Sequence, residues 1–118
     1  MSITLRHERD NVFRLEVRGT LKKSDLEGYR DWIASEIERL GAVRLLWNLD
    51  GFEGWDPEDR YDLSFYIKYG DAVERIAIVG EDRWRDLALM FANAGLRKGL
   101  VEYFPGGALA EARAWLSQ

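Results

Sequence analysis

Cysteine is absent from this 118-residue chain, so disulfides, thiolate nucleophiles and zinc–thiolate sites are excluded. His7 is the sole histidine, and a histidine metal cluster is excluded with it. No apolar run approaches the roughly 18 residues of a membrane span, and the opening MSITLRHERD lacks a signal peptide's apolar stretch. A cytoplasmic protein is the expectation. Positive charge is in deficit: 17 Lys and Arg stand against 21 Asp and Glu, a net charge of −4. That is the wrong sign for tracking a nucleic-acid backbone, so no nucleic-acid partner is expected. The length allows one domain, spanning 1–118, and not two.

What is present is apolar and aromatic. Hydrophobic residues make up 47 %, with five each of Trp, Tyr and Phe, enough to fill a real core. Ile3 and Leu5 alternate with Ser2, Thr4 and Arg6, and Phe13, Leu15 and Val17 with Arg14, Glu16 and Arg18. This is the period of two strands with one buried face, and the polar turn between them predicts an antiparallel hairpin closed by Gly19. Ser24-Asp25-Leu26-Glu27 matches a capping box. The helix it opens carries Leu26, Tyr29, Ile33, Ile37 and Leu40 on one stripe and stops at Gly41. Val43–Leu49 reads as a central strand buried on both faces, followed by a loop over 50–56. Pro57 and the acids around it predict a second helix to about Tyr69. A strand at 75–79, a helix over about 82–93, a strand at 100–104 and a final helix complete the order ββαβαβαβα. Alternation of strand and helix makes a parallel sheet. The expectation is therefore an α/β domain: a mixed five-stranded sheet with an antiparallel first strand and about four helices. Ligands in such folds sit at the carboxyl ends of the parallel strands, where 50–56 and 80–82 emerge.

This order, together with Leu45-Leu46-Trp47-Asn48-Leu49-Asp50-Gly51-Phe52, resembles the STAS fold of anti-sigma-factor antagonists. The whole chain resembles more closely the SpoIIAA-like proteins grouped with STAS and Sec14-type lipid-binding domains. The residues that carry this are the hairpin start, Arg44-Leu45-Leu46, Phe52-Glu53-Gly54, Glu74-Arg75-Ile76-Ala77-Ile78-Val79, and Glu111-Ala112-Arg113-Ala114-Trp115-Leu116. The resemblance implies a switch loop in which an aspartate and a phosphorylatable serine open the helix. Asp56 falls at the aspartate, but Pro57 and Glu58 replace the serines, and neither accepts a phosphoryl group. A phospho-serine switch is not expected.

Enzymatic chemistry finds little support. Asp50, Glu53, Asp56, Glu58, Asp59 and Asp62 could supply oxygen ligands, but acids at a helix start are favoured without any metal, and the spacing fits no EF-hand. Gly95-Leu96-Arg97-Lys98-Gly99 fits neither phosphate-binding pattern. Arg83, Arg85, Arg97 and Lys98 could meet an anionic head group, and scattered basic residues are usually solvated. No catalytic residue, metal or cofactor is expected. The unusual feature is an aromatic excess around the strand ends: Phe52, Trp55, Tyr61, Phe65, Trp84, Leu87, Met90 and Phe91 are the candidate ligand-binding residues. On the helix over 82–93, Trp84, Leu87, Ala88 and Phe91 form the expected core stripe, which turns Leu89 and Met90 partly away. The other reading is that most of these rings are core, since an α/β domain of 118 residues needs bulky filling. Two functions stay open. One is a non-catalytic domain for an apolar or lipid-like ligand or a membrane surface; the other is a protein–protein interaction module that binds a partner or itself as a homodimer.

Overall fold

Residues 3–55 and 68–118 are described by the computed structural model. The two alternating stretches at the start form β1 (Ile3–Arg9) and β2 (Val12–Val17), paired antiparallel across a turn at Asp10. β3 (Gly19–Leu21) follows at once. Helix α1 (Lys23–Leu40) leads to β4 (Val43–Asn48), and β5 (Phe52–Trp55) follows directly. β6 (Val73–Gly80) and β7 (Leu100–Pro105) flank helix α2 (Arg85–Phe91), and helix α3 (Leu109–Leu116) closes the chain. The main sheet has the order β1-β2-β4-β6-β7, antiparallel at β1 and parallel elsewhere. It is the mixed five-stranded sheet that the sequence predicts.

Three details differ from expectation. The segment read as a loop over 50–56 contains β5, which pairs parallel with β3 in a second, two-stranded sheet. The capping box does not form. Lys22 is the N-cap, its carbonyl accepts from the Leu26 N–H at 3.1 Å, and Ser24 already lies in the first turn. Three α-helices occur among the described residues against the four expected. The helix expected over 57–69 falls mostly outside them, with only 68–69 helical before a 3₁₀ turn at Gly70–Ala72. The C-terminal end of α1 is as read: Gly41, at φ 89°, donates to the Ile37 carbonyl at 2.7 Å.

The alternating side chains of the sheet feed two cores. On one face Phe13, Leu15, Val17, Leu45, Trp47, Ile76 and Ile78 meet Tyr29, Ile33 and Ile37 of α1 and Ala88 of α2. On the other, Val12, Leu46, Ala77 and Val79 meet Ala112 and Leu116 of α3. β4 and β6 are covered on both faces, which is why they read as continuous apolar runs.

Candidate functional site

At the carboxyl end of β4 the backbone turns under local control. Asn48 is buried, and its side-chain oxygen accepts from the Asp50 N–H at 3.1 Å, the asparagine turn that short polar side chains favour. The Phe52 N–H then donates to Leu49 O at 3.0 Å, and Gly19 N–H to Gly51 O at 2.9 Å. These bonds drive Phe52 into the interior at 1 % exposure. Its ring meets Trp55 edge-on at 4.7 Å between centroids and Trp84 at 5.0 Å. Trp55 also contacts Trp84 at 6.1 Å and Phe91 at 5.8 Å, and Phe91 reaches Trp47 at 6.0 Å. Edge-on contacts of this kind add to simple area burial. Gly54 is required here. It sits at φ 118°, and a Cβ on it would lie 3.3 Å from Trp84 Cη2, so a side chain would meet both backbone strain and the ring.

The aromatic cluster leaves a cavity of about 30 Å³, walled by apolar atoms of residues that include Tyr29, Trp47, Phe52, Trp55 and Phe91. The chemistry around it is sparse. Complete burial pushes the Tyr29 phenol up to about 12, with the Trp47 indole and the Arg97 and Arg30 charges offsetting part of the effect. The indole N–H groups of Trp47, Trp55 and Trp84 are buried without a hydrogen bond; Trp47 lies beside the phenol but is not aimed at it. Because the cavity wall is apolar, none of these donors faces into it. Each unsatisfied donor costs about 1–3 kcal/mol. The Trp84 ring is also covered by the Arg83 guanidinium at 4.7 Å.

Of the residues singled out from the sequence, Phe52, Trp55 and Phe91 line the cavity, and Trp84 packs against the first two. Leu87 and Met90 are not in this cluster; they are 44 % and 67 % exposed. The expected core stripe of α2 is therefore corrected. Leu89 packs against the core in place of Leu87. The α-helix begins only at Arg85, after a 3₁₀ turn over Asp82–Trp84, and its inward line is set by Ala88 with Ala92, which puts Leu87 and Met90 together on the outer side. Tyr61, Phe65, Asp56, Pro57 and Glu58 lie outside the described residues. Tyr29, Trp47, Leu21 and Leu26 also line the cavity and were not singled out as site residues. The signal was present, since Tyr29 and Leu26 belong to the α1 stripe and Trp47 to the central strand.

Among the described residues no group of three His, Cys, Asp or Glu could hold a metal ion, and no helix is long and apolar enough to cross a membrane. The described residues thus form an α/β fold with a mixed five-stranded sheet and an aromatic-packed strand-end region. The SpoIIAA-like family model matches residues 12–117, and the chain belongs to that family. Its fold is similar to that of an uncharacterised protein of the DUF3478 family with a SpoIIAA-like fold from Shewanella loihica PV-4. That likeness has a TM-score of 0.74 at 21 % identity, over 97 % of this chain and 91 % of the other. It is also similar to the anti-sigma factor antagonist SpoIIAA in its unphosphorylated form, with a TM-score of 0.66 at 14 % identity over 98 % and 97 % of the two chains. No curated protein matches the sequence.

Proposed function

We propose that this protein is a non-catalytic interaction module that docks a protein partner on the outer side of α2. The observation that carries the reading is the contrast across that helix. The rings beneath it close on a cavity of about 30 Å³, while Leu87 and Met90, three residues apart, remain 44 % and 67 % exposed. Paired apolar side chains left on one side of a helix are what a partner covers. The fold shared with an anti-sigma factor antagonist supports a regulatory, partner-binding role. With Pro57 and Glu58 in the switch loop and no Ser, Thr or Tyr between residues 50 and 60, that role does not run through phosphorylation there.

The apolar-ligand reading is retained as a second function because the cavity wall is wholly apolar and lies at the strand ends. A fatty-acyl chain would need several times the present space, so α2 would have to move to admit it. Affinity capture from the source cell with wild-type and Leu87→Gln/Met90→Gln baits, read by mass spectrometry, tests the first reading. Partners held by the wild type and lost by the variant support it, and an identical set from both baits refutes it. Native mass spectrometry of the purified protein tests the second, for which a co-purified fatty acid or lipid is the expected signal.

A further inference from the structure

The sheet face that carries α3 is only partly covered. α3 packs on β4, β6 and β7 and reaches the β1–β2 ribbon through Leu116, which packs with Val12, and through Arg113, whose Nε and Nη2 both lie 3.0 Å from Glu8 Oε1. Apart from Thr4, the rest of the ribbon's α3 side is charged. Alternation along β1 and β2 places Arg6, Glu8, Arg14 and Glu16 there, and the register sets Arg6 directly opposite Arg14. Like charges in directly opposed positions destabilise a strand pair, so this pair works against the isolated fold. Arg14 is drawn to Glu16 at 3.2 Å and Glu8 at 3.8 Å. Its buried Nε–H is aimed at neither oxygen and makes no hydrogen bond. Arg6 and Arg9 are exposed and have no ion pair or hydrogen bond among the described residues. Arg18, 73 % exposed, reaches Glu16 only at 3.7 Å. Beside Arg9 and Arg113 the surface sinks into a depression of about 360 Å³ that ends at Ser117. Five arginines and two glutamates thus share one face of a chain whose net charge is −4.

We propose that the α3 side of the β1–β2 ribbon is a second docking surface, for an acidic segment of a partner protein. Charge complementarity carries this. The exposed guanidinium groups of Arg6, Arg9 and Arg18 can each take a carboxylate in paired hydrogen bonds, a geometry that lysines would not provide. Glu8 and Glu16, set among them, would repel a uniform polyanion such as an anionic membrane or a nucleic-acid backbone. A protein segment can leave gaps where they stand. The surface is separate from the outer side of α2, so it stands or falls independently of the function proposed above.

The test is fluorescence anisotropy of a labelled oligoglutamate peptide at low salt, with the full chain. Arg6→Glu/Arg9→Glu is expected to weaken binding about tenfold, and added salt to weaken wild-type binding. The same charge change made outside this face, Arg85→Glu/Lys98→Glu, is expected to leave the affinity within about twofold. The thermal midpoint of each variant verifies folding. If Arg6→Glu/Arg9→Glu unfolds, the neutral Arg6→Gln/Arg9→Gln pair must show the same loss. Absence of wild-type binding, unchanged binding by the ribbon variants, or an equal loss in the control pair overturns the proposal. So does tighter ribbon-dependent binding of phosphatidylglycerol vesicles or duplex DNA than of the peptide, since the surface would then recognise polyanions in general.

Discussion

The two faces of the main sheet solve the same problem with different materials. Under α1 and α2 the sheet is sealed by whole rings and long aliphatics, with Phe52, Phe13 and Ile33 at 1–2 % exposure. Under α3 the buried set is smaller, chiefly valine, alanine and two leucines, and arginines from the strands supply what apolar area does not. Arg44 Nη1 donates to the Leu116 carbonyl at 2.6 Å and to the Gln118 carbonyl at 2.8 Å, and Arg75 Nη1 donates to the Trp115 carbonyl at 3.1 Å while lying 4.9 Å over the Trp115 ring. The last carbonyls of a helix lack a full set of helical partners, although the Trp115 carbonyl also accepts from the Gln118 N–H at 3.2 Å, and cations suit that end of a helix. One face is held by burial and the other is clasped by charge. Solvent and salt therefore act on them differently.

The largest test of this contrast removes one ring from each face. Phe52→Ala should cost about 3–5 kcal/mol in chemical denaturation, because the site is sealed by Trp55 and Trp84 and cannot collapse. Trp115→Ala removes a half-buried ring and its contacts to Arg75 and Phe104, and should cost only about 1–2 kcal/mol. Equal losses would abolish the distinction. The next effect sharpens it through pH. The Tyr29 phenol titrates at about 12 in the folded chain against an ordinary 10.0, so the folded state keeps the proton that the unfolded state releases. The stabilisation is complete below pH 10 and is lost as pH rises from 10 to 12, about 2–3 kcal/mol in all. Denaturation curves from pH 9 upward should fall more steeply for the wild type than for Tyr29→Phe. Parallel slopes would mean that the phenol is not sealed.

On the charged face the corresponding test is Arg44→Met, which keeps most of the apolar stem and deletes both carbonyl bonds. A loss of about 1–3 kcal/mol is expected, with hydrogen exchange quickening in α3 before it does in α1. Uniform quickening would show that α3 is not separately clasped.

How much of this was legible in the sequence follows the range of the forces involved. The five strands of the main sheet and the stripe of α1 are written in local periodicity, and Tyr29, Ile33 and Ile37 are buried as that stripe requires. β5 escaped because Phe52-Glu53-Gly54-Trp55 has no strand pattern of its own and becomes a strand only when β3 lies beside it. The capping box failed for a similar reason: Ser24 and Glu27 have the right spacing, yet the N-cap falls two positions earlier, at Lys22, and the helix begins at Lys23. The candidate site was legible as a set of rings but not as a geometry. Phe52, Trp55 and Trp84 do meet, but a composition cannot say how tightly the rings close on one another. The arginine clasp spans residues 44 to 116 and the Arg6–Arg14 opposition depends on strand register, so neither carries a local signature.

The smallest expected effect bears on the outer side of α2. The helical spacing puts Leu87 on the core stripe, whereas the structure places it outside with Met90. Leu87→Gln/Met90→Gln therefore removes little apolar area that folding had buried. The stability change should stay below about 1 kcal/mol. Helix propensity hardly alters, since Leu, Met and Gln are close in rank. A position that packs against the core responds otherwise: Leu89→Gln would push a polar amide against that core and should cost about 1–3 kcal/mol more than the outer pair. The two variants therefore form an internal control on one helix, matched in chemistry and differing in direction by one residue. If the outer pair proves as damaging as Leu89→Gln, α2 is sealed on both sides and has no surface to offer a partner. If the outer pair is silent in folding while partner capture is lost, the exposed side of α2 is maintained for binding and not for stability.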